Sequence, residues 1–421
     1  MRIITTVDLF AGGGGATTGM EDALARRGLR HRGLAINHCP VAVATMRANH
    51  PDVDARIMSV EEAVPGDLVP GREVDLLWAS PSCTHHSRAK GGKPRDNQLR
   101  SQPDLVLPWL DQLFVRRMII ENVPEFEEWG PLDKRGRPIE SGKGDCFRAW
   151  VRAIEARRYT VEWRILTCAN YGDATTRRRF FLQAVRRGCG RIEWPEPTHA
   201  ETPEETLFAP PLPRWRGVRE CLDLADLGTS IFNRRRPLAA ATLRRIATGL
   251  ERYCGDVMRP FVILLRQHMD CASIDAPLST ITAGGTHFAL CQPVVIDHFA
   301  GGTARSADYP IGAQTTHDRY SLVTPLVLGQ QGGAECRPID MPCPTIATAG
   351  GVRVITPILA DGRAIDIYMR MLKPAELAAA HSFPAGYRFA GNRGEQVKQI
   401  GNSVPCRTAA AICDAALRGV A

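Results

Sequence analysis

A short apolar run leads directly into a cysteine in the stretch Leu76-Leu77-Trp78-Ala79-Ser80-Pro81-Ser82-Cys83-Thr84-His85-His86-Ser87. The apolar run predicts a buried strand that ends at the Ser-Pro-Ser turn. In an α/β sheet, ligands bind outside the carboxyl ends of the strands, which is where Cys83 would lie. Residues 88–102 are rich in Gly, Lys, Arg and Ser, so we expect a loop there. Cys83 is therefore either a nucleophile beside a basic loop or a buried structural cysteine.

Upstream of this stretch, the chain begins with the pattern of a nucleotide-binding β–α–β unit. Ile3–Val7 is rich in β-branched residues and predicts a strand, and the glycine loop Asp8-Leu9-Phe10-Ala11-Gly12-Gly13-Gly14-Gly15 follows it. A helix is predicted next, over Thr18–Arg27. Glycines let the backbone approach a ligand closely, although Thr17 stands where the third glycine of G-x-G-x-x-G would be. A tight structural turn is the alternative.

Two charged motifs follow downstream. Arg117–Ile120 predicts another buried strand that ends in Glu121. That carboxylate is either satisfied structurally or placed for proton transfer. Further on, Arg177-Arg178-Arg179 runs into the apolar strand Phe180–Val185. Because alternate residues of a strand share a face, the first and third arginines point the same way and suit contacts to an anion or a base oxygen.

The composition is that of a globular protein with a moderate excess of positive charge. The 421 residues are 44% hydrophobic and 23% charged, which allows two or three domains with large cores. Lys and Arg number 53 and Asp and Glu 45, so the net charge is +8, compatible with a polyanionic partner. The 13 cysteines include no C-x-x-C pair, which argues against a zinc finger. We expect reduced thiols, no signal peptide and no membrane span.

The region 199–364 differs in texture and contains an internal repeat. Proline-led apolar runs recur there at intervals of 32–33 residues, and each is followed by a polar loop and a second proline-led segment. The runs begin at Pro260, Pro293 and Pro325, and the second segments at Pro277, Pro310 and Pro342. The pattern predicts stacked β-hairpin units, either a recognition platform or a structural scaffold. The base-edge candidates in their loops are His268, Gln314, His317, Arg319, Gln330 and Gln331.

The order of these motifs resembles that of the cytosine-5 DNA methyltransferases. The glycine loop, Cys83, Glu121 and the arginine pair precede the insert, and Arg370…Glu376, Phe383-Pro384 and Gly401-Asn402-Ser403-Val404 follow it. The resemblance covers about 3–190 and 366–418. It implies an α/β, Rossmann-like S-adenosylmethionine-dependent methyltransferase domain with a smaller, mainly β target-recognition domain. The implied bounds are 1–198 for the catalytic domain, 199–364 for target recognition with its repeats, and 365–421 for a C-terminal segment that completes the catalytic domain.

The resemblance also implies the chemistry. Cys83 adds to C6 of a flipped-out cytosine, Glu121 supplies a proton at N3, and Arg177 and Arg179 contact O2 and support the catalytic loop. C5 then takes a methyl group from S-adenosylmethionine. The implied cofactor contacts are Phe10, Ala11, Gly12, Gly13, Gly14, Asn37, His38, Ser59, Val60, Ser80, Asn402, Ser403 and Val404.

The implied partner is double-stranded DNA. Its phosphates would be contacted by Ser87, Arg88, Lys90 and Lys93, and its base edges by Gln314, His317 and Arg319. We expect no metal, a monomer, and a cytoplasmic location in a bacterial cell or a phage-infected host.

Several positions depart from the family pattern, and two other functions stay open. The departures are Ser82, Thr84, Thr175, Asn37 and Ser59, which bear on cofactor affinity more than on chemistry. One alternative is a tRNA cytosine-5 methyltransferase, against which the long insert argues. The other is a catalytically silent DNA-binding homologue, against which the presence of Cys83, Glu121 and Arg179 argues.

Overall fold

The computed structural model describes most of the chain and divides it into two compact units. The described residues are 3–81, 102–133, 137–205, 210–232, 234–236, 238–253, 260–265, 271–285, 287–295, 326–329, 336–338, 352–355 and 365–418. Unit 1 comprises Met1–Arg216, Pro277–Gly285 and Leu377–Ala421, and unit 2 comprises Gly217–Ala276 and Thr286–Glu376.

Unit 1 is built on a seven-stranded sheet. Its strands are β1 (Ile3–Leu9), β2 (Arg30–Asn37), β3 (Val53–Ile57), β4 (Glu73–Ala79), β5 (Phe114–Asn122), β6 (Tyr159–Thr167) and β7 (Arg178–Arg186). They lie in the order β3-β2-β1-β4-β5-β7-β6, and all are parallel except β7, which is antiparallel to both neighbours. The chain direction across the sheet reverses between β1 and β4, the topological switch point at which α/β sheets bind ligands.

Nine α-helices accompany the strands in the described part of the chain. They are α1 (Gly15–Arg26), α2 (Pro40–Asn49), α3 (Pro65–Leu68), α4 (Leu107–Gln112), α5 (Asp145–Glu155), α6 (Ala240–Tyr253), α7 (Pro374–Ala380), α8 (Arg393–Asn402) and α9 (Cys406–Ala416). Local sequence explains several ends: Pro40 occupies the first turn of α2, where its missing N–H costs nothing. Asn392 and Glu395 form a reciprocal capping box that starts α8.

The sheet of unit 1 is buried on both faces, as the continuous apolar strands predict. Alternate residues of β4 show this directly. Leu77 packs in a core with Trp109, Phe126 and Trp150, whereas Trp78 faces the opposite core, where its ring meets Phe181 at 6.2 Å between centroids. The prediction of a buried strand before Cys83 is confirmed, and so is a mixed α/β fold around a large, mostly parallel sheet.

Unit 2 contains two antiparallel sheets. The first has the order β10-β9-β11-β15-β8, formed by β8 (Thr229–Ser230), β9 (Phe261–Leu264), β10 (Cys271–Ser273), β11 (Phe288–Val295) and β15 (Ile365–Met371). The second has the order β13-β12-β14, formed by β12 (Leu326–Gly329), β13 (Cys336–Pro338) and β14 (Val352–Ile355). Leu243 and Ile246 of α6 pack on Phe261 and Ile263 of the first sheet.

The described strands do not form three equivalent hairpins, in contrast to the repeat prediction. The runs at Pro260 and Pro293 correspond to β9 and β11, which pair with each other in the five-stranded sheet. The run at Pro325 corresponds to β12, which belongs to the three-stranded sheet. The segment after Pro277 lies in unit 1, because the backbone of Leu278 bonds to Ala174 and Thr176.

The two units also divide the chain at positions other than 198/199 and 364/365. Residues up to Arg216 stay with unit 1 because Trp215 donates its indole N–H to Asn170 and its backbone N–H to Ala200. β15 stays with unit 2 because it pairs along its whole length with β11. Among the described helices, none combines the length and apolar character needed to cross a membrane.

Candidate active site

The carboxyl ends of the parallel strands bring most of the predicted cofactor contacts to one edge of unit 1. Phe10–Gly14 follow β1, Asn37 ends β2 and His38 follows it, and Ser80 follows β4. Ser59 and Val60 come just after β3. The hydroxyl of Ser80 accepts a hydrogen bond from the Trp78 indole at 2.9 Å. The edge thus gathers residues that are up to 70 positions apart in the chain (10 to 80).

The glycine loop is held by hydrogen bonds from β2. The backbone N–H of Ala11 donates to the carbonyl of Ile36 at 3.0 Å, and the Asn37 amide donates to the Ala11 carbonyl at 2.6 Å. Phe10 has a φ of 60°, a conformation that is unfavourable for a bulky residue and is found at functional sites. The oxygen of the Asn37 side chain accepts from Cys39 N–H at 2.7 Å. Asn37 therefore supports the loop, a role that sequence reasoning missed.

The C-terminal segment packs directly against this loop. A Cβ at Gly15 would lie 2.3 Å from the Val404 carbonyl oxygen, and one at Gly13 would lie 3.1 Å from the Ser403 hydroxyl. Only glycine permits such a close approach at Gly15. The hydroxyl of Ser403 donates to Gln399 at 2.8 Å and so closes α8, while Asn402 is exposed at its end.

Gly12 has a different environment from its neighbours. A Cβ there would meet no atom within 4 Å, so open space lies beside the loop at this position. The loop thus offers an accessible backbone at the switch point, with the partly buried Phe10 ring next to it. These features fit a nucleoside cofactor such as S-adenosylmethionine.

A buried ion pair lies at the same edge. Nε of Arg179 is 2.9 Å from Oε1 of Glu121, and the side chains are 10% and 6% exposed. The two residues come from adjacent antiparallel strands, in which Glu121 faces Phe181, two positions after Arg179. The predicted alternation of the arginines is confirmed, since Arg178 is exposed while the arginines on either side are buried. The pair fixes the orientation of the Glu121 carboxyl at the carboxyl end of β5.

The pair is tied to the strand that leads to Cys83. Asn122, next to Glu121, donates its amide to the carbonyl of Pro81 at 3.2 Å. Cys83 follows Pro81 by two positions but lies outside the described residues. The predicted DNA contacts also lie outside them: Ser87, Arg88, Lys90, Lys93, Gln314, His317 and Arg319.

Arg177 makes a different contact from Arg179. It is 1% exposed, and its guanidinium donates to the Ile281 carbonyl at 2.8 Å. The segment Pro277–Gly285 is held further by the close approach of Gly401, where a Cβ would lie 2.4 Å from Thr282. The structure thus shows Arg177 positioning a backbone segment.

Another thiol lies near the arginines but is chemically unsuited to attack. Cys168 is fully buried, and its burial raises the pKa of the thiol to about 12, although Arg177 and Arg179 lower it in part. Because the thiolate is the nucleophile, Cys168 would be inert at neutral pH. In the described part of the chain, no cluster of three His, Cys, Asp or Glu side chains could hold a metal ion.

Sequence reasoning missed several residues around the glycine loop. Asp8 is buried and accepts a hydrogen bond from Thr17 at 2.7 Å. Burial raises the pKa of Asp8 to about 7, against the opposing effects of Thr17 and His50. The position of Asp8 at the end of a buried strand could have pointed to it from the sequence. No spacing in the sequence links the loop to His50 or Tyr387, which contact it only through the tertiary fold.

Comparison with known proteins identifies the family. A sequence model described as the C-5 cytosine-specific DNA methylase family matches residues 4–209 and 337–418. The chain belongs to this family. The prediction from the motif order is thereby confirmed, and the unmatched stretch falls within the region of the internal repeat.

Individual members of the C-5 cytosine-specific DNA methylase family match about half of the chain. The type II methyltransferase M.AgeI of Thalassovita gelatinovora is 30% identical over 203 residues, covering 46% of this chain and 42% of that protein. DNA (cytosine-5)-methyltransferase 1A of Oryza sativa subsp. japonica is 27% identical over 245 residues, covering 49% and 15%. The chain thus spans less than half the length of these two relatives.

Solved structures share the fold. The Entamoeba histolytica methyltransferase EhMeth superposes with a TM-score of 0.51 at 12% identity, with 100% of both chains covered. The S. pombe Dnmt2 methyltransferase gives 0.51 at 14% identity, covering 100% of this chain and 99% of that one. At such identities the likeness concerns the fold alone.

Proposed function

We propose that this protein methylates C5 of cytosine in a specific short site of double-stranded DNA, with S-adenosylmethionine as methyl donor. The observation that carries the proposal is the buried Glu121–Arg179 pair, joined through Asn122 to Pro81 just before Cys83. Family membership supports it, and so do the relatives named as cytosine-5 DNA methyltransferases.

In the proposed reaction, Cys83 and Glu121 act at different atoms of the cytosine ring. Cytosine C5 is a poor nucleophile until a thiolate adds to C6 and makes the ring enamine-like. Glu121 supplies a proton at N3 as that bond forms. After methyl transfer, a base removes the C5 proton and the Cys83 thiolate leaves by elimination. The target base must be flipped out of the duplex for these contacts.

Arg179 orients the Glu121 carboxyl through their 2.9 Å ion pair and is available to the base O2. Arg177 takes a positioning role in this proposal, because its guanidinium is directed to the Ile281 carbonyl. It would hold the segment Pro277–Gly285 beside the reacting groups.

S-adenosylmethionine supplies the methyl group as a sulfonium. The residues proposed to hold it are Phe10, Ala11, Gly12, Gly13, Gly14, Asn37, His38, Ser59, Val60, Ser80, Asn402, Ser403 and Val404. The open space beside Gly12 and the partly buried Phe10 ring support this assignment. Asn37 would act mainly by holding the Ala11 carbonyl.

We also propose that unit 2 recognises the target sequence, with the protein acting as a monomer. Gln314, His317 and Arg319 are the proposed base-edge contacts, and Ser87, Arg88, Lys90 and Lys93 the proposed phosphate contacts. Single substitution of the first three would change site preference. An unchanged preference would refute that part of the proposal.

The test is bisulfite sequencing of DNA from cells that express the protein, beside Cys83→Ala and a matched Cys189→Ala variant. Cys189 is a partly exposed cysteine elsewhere in unit 1. We expect protected cytosines in one short context in the unmodified and Cys189→Ala samples and none with Cys83→Ala. Complete conversion in all samples would overturn DNA methylation, and the same assay on tRNA would then test the alternative substrate.

A further inference from the structure

Tyr387 connects the glycine loop to a buried histidine. Its hydroxyl donates a hydrogen bond to the carbonyl of Gly13, with 2.8 Å between the oxygens. Nε2 of His50 lies 2.9 Å from the same hydroxyl, and Nδ1 of His50 lies 2.7 Å from Oε2 of Glu21. The three side chains form a continuous path to the loop backbone, the Glu21–His50–Tyr387 chain.

The hydrogen bonds at the two ends of the Glu21–His50–Tyr387 chain each have a fixed donor and acceptor. The tyrosine hydroxyl donates its one proton to the Gly13 carbonyl, which can only accept. At the other end, Nδ1 of His50 donates to the Glu21 carboxylate. Partial burial raises the pKa of Glu21, but hydrogen bonds from His31 and His50 outweigh it and lower the pKa to about 2. Glu21 is therefore a permanent acceptor at the end of the chain.

The glycine loop lies close against the Glu21–His50–Tyr387 chain. A Cβ at Gly14, whose φ is 86°, would lie 2.1 Å from the Tyr387 hydroxyl and 2.9 Å from Nε2 of His50. The Tyr387 ring is held by packing against Phe383 and Phe389, with centroids 4.7 and 5.0 Å away. Removing only the hydroxyl would therefore break the contact with Gly13 without displacing the ring.

We propose that the Glu21–His50–Tyr387 chain positions the Gly13 carbonyl, and with it the Phe10–Gly15 loop, for a nucleoside cofactor. The inference rests on the proposed function, in which this loop contacts S-adenosylmethionine. The three are positioning residues, since they act through the loop backbone. A loop that is ordered before binding loses less conformational freedom when the cofactor arrives, so affinity is higher.

The first test measures the loop without any cofactor. Tyr387→Phe is compared with Tyr159→Phe, which removes an equivalent hydrogen bond, from a buried tyrosine to the Val115 carbonyl at 2.7 Å, elsewhere in unit 1. We expect amide hydrogen exchange of residues 11–18 to be about tenfold faster in Tyr387→Phe than in the control. This factor corresponds to the free energy of one lost hydrogen bond. Equal exchange rates would overturn the proposal.

The second test measures binding of S-adenosylhomocysteine by calorimetry. We expect about tenfold weaker binding for Tyr387→Phe and His50→Gln, unchanged binding for Tyr159→Phe, and kcat within about twofold at saturating cofactor. Unaltered affinity in Tyr387→Phe would refute the inference while leaving the proposed function intact. Absence of binding by the unmodified protein would instead overturn the proposed cofactor, and the exchange rates would still show whether the chain holds the loop.

Discussion

The Glu121–Arg179 pair shows how two buried charges hold each other in place at a strand end. Both side chains are almost fully buried, so each ion has lost most of its hydration and depends on the other. A buried charge that lost its partner would be costly, which explains why the pair is held so close. The same arrangement keeps the carboxyl oriented at the strand end.

Replacing Glu121 with glutamine should separate these two contributions. We expect methyl transfer to fall by at least about 100-fold, because the amide cannot supply the N3 proton. The free energy of unfolding should fall by about 3 kcal/mol, because Arg179 loses its counter-charge. Transfer of a radiolabelled methyl group to DNA and urea unfolding measure the two effects. Glu162→Gln, at an exposed position on β6 where the amide oxygen can still accept from the Trp194 indole, is the control and should change neither.

Within the β1–α1 element, neighbouring glycines have different reasons to be glycine. Gly15 is required by packing, because a Cβ would meet the Val404 carbonyl at 2.3 Å. A Cβ at Gly12 would contact no atom, so packing within the protein does not require glycine there. If the loop binds a cofactor, the open side of Gly12 must be reserved for it.

Alanine substitutions at these two positions should therefore diverge. Gly12→Ala should leave the melting temperature within about 1 °C and weaken S-adenosylhomocysteine binding by tenfold or more, because the new methyl group occupies the open space. Gly15→Ala should lower the free energy of unfolding by about 2 kcal/mol through overpacking. Thermal unfolding and calorimetry distinguish the two. Unaltered binding by Gly12→Ala would place the cofactor elsewhere.

In unit 2, the end of β15 and the start of α7 are joined by a buried ion pair. Arg370 forms a bidentate pair with Glu376, with N–O distances of 2.8 and 2.7 Å. Glu376 also accepts from the backbone of Asp223 and Lys373. The Arg370…Glu376 motif, part of the family resemblance, thus has a structural explanation.

Arg370→Ala should destabilise unit 2 strongly. It leaves Glu376, 4% exposed, without its counter-ion, and such losses cost about 3–5 kcal/mol. Arg219→Ala is the matched control, because it breaks an arginine–aspartate pair whose side chains are about half exposed and should cost at most about 1 kcal/mol. Circular dichroism during thermal unfolding would show the difference, and equal effects would contradict the assignment.

Across the whole molecule, two buried carboxylic acids should shape stability against pH. Burial raises the pKa of Asp8 to about 7 and of Asp173 to about 6, in each case against hydrogen bonds that lower it. The folded state thus binds more protons than the unfolded state, in which these acids titrate near pH 4. Stability from these groups is full below about pH 4 and is lost as pH rises to about 7.

Asp8→Asn should reduce this pH dependence, since the amide oxygen can still accept from Thr17. Between pH 5 and pH 8 we expect the unmodified protein to lose about 2–3 kcal/mol more unfolding free energy than the variant. Urea unfolding at the two pH values, followed by tryptophan fluorescence, measures it. The same loss in both proteins would show that Asp8 ionises normally.

Much of the fold could be predicted from the sequence, whereas the catalytic residues stay a prediction. Hydrophobic runs bounded by Gly and Pro predicted the strands around Glu121 and the glycine loop, because local pattern and burial agree there. The order of separated motifs identified the family. Alternation along β7 correctly separated Arg178 from Arg177 and Arg179.

Only the tertiary structure decided what those side chains contact. Arg177 and Arg179 look equivalent in sequence, yet one bonds to the Ile281 backbone and the other to Glu121. The partners of the glycine loop come from positions as distant as Tyr387, which no local spacing reveals. Local sequence determines which elements form, because propensity and burial act over a few residues. Long-range packing determines which of the polar groups meet, because each buried donor must find an acceptor wherever the fold provides one.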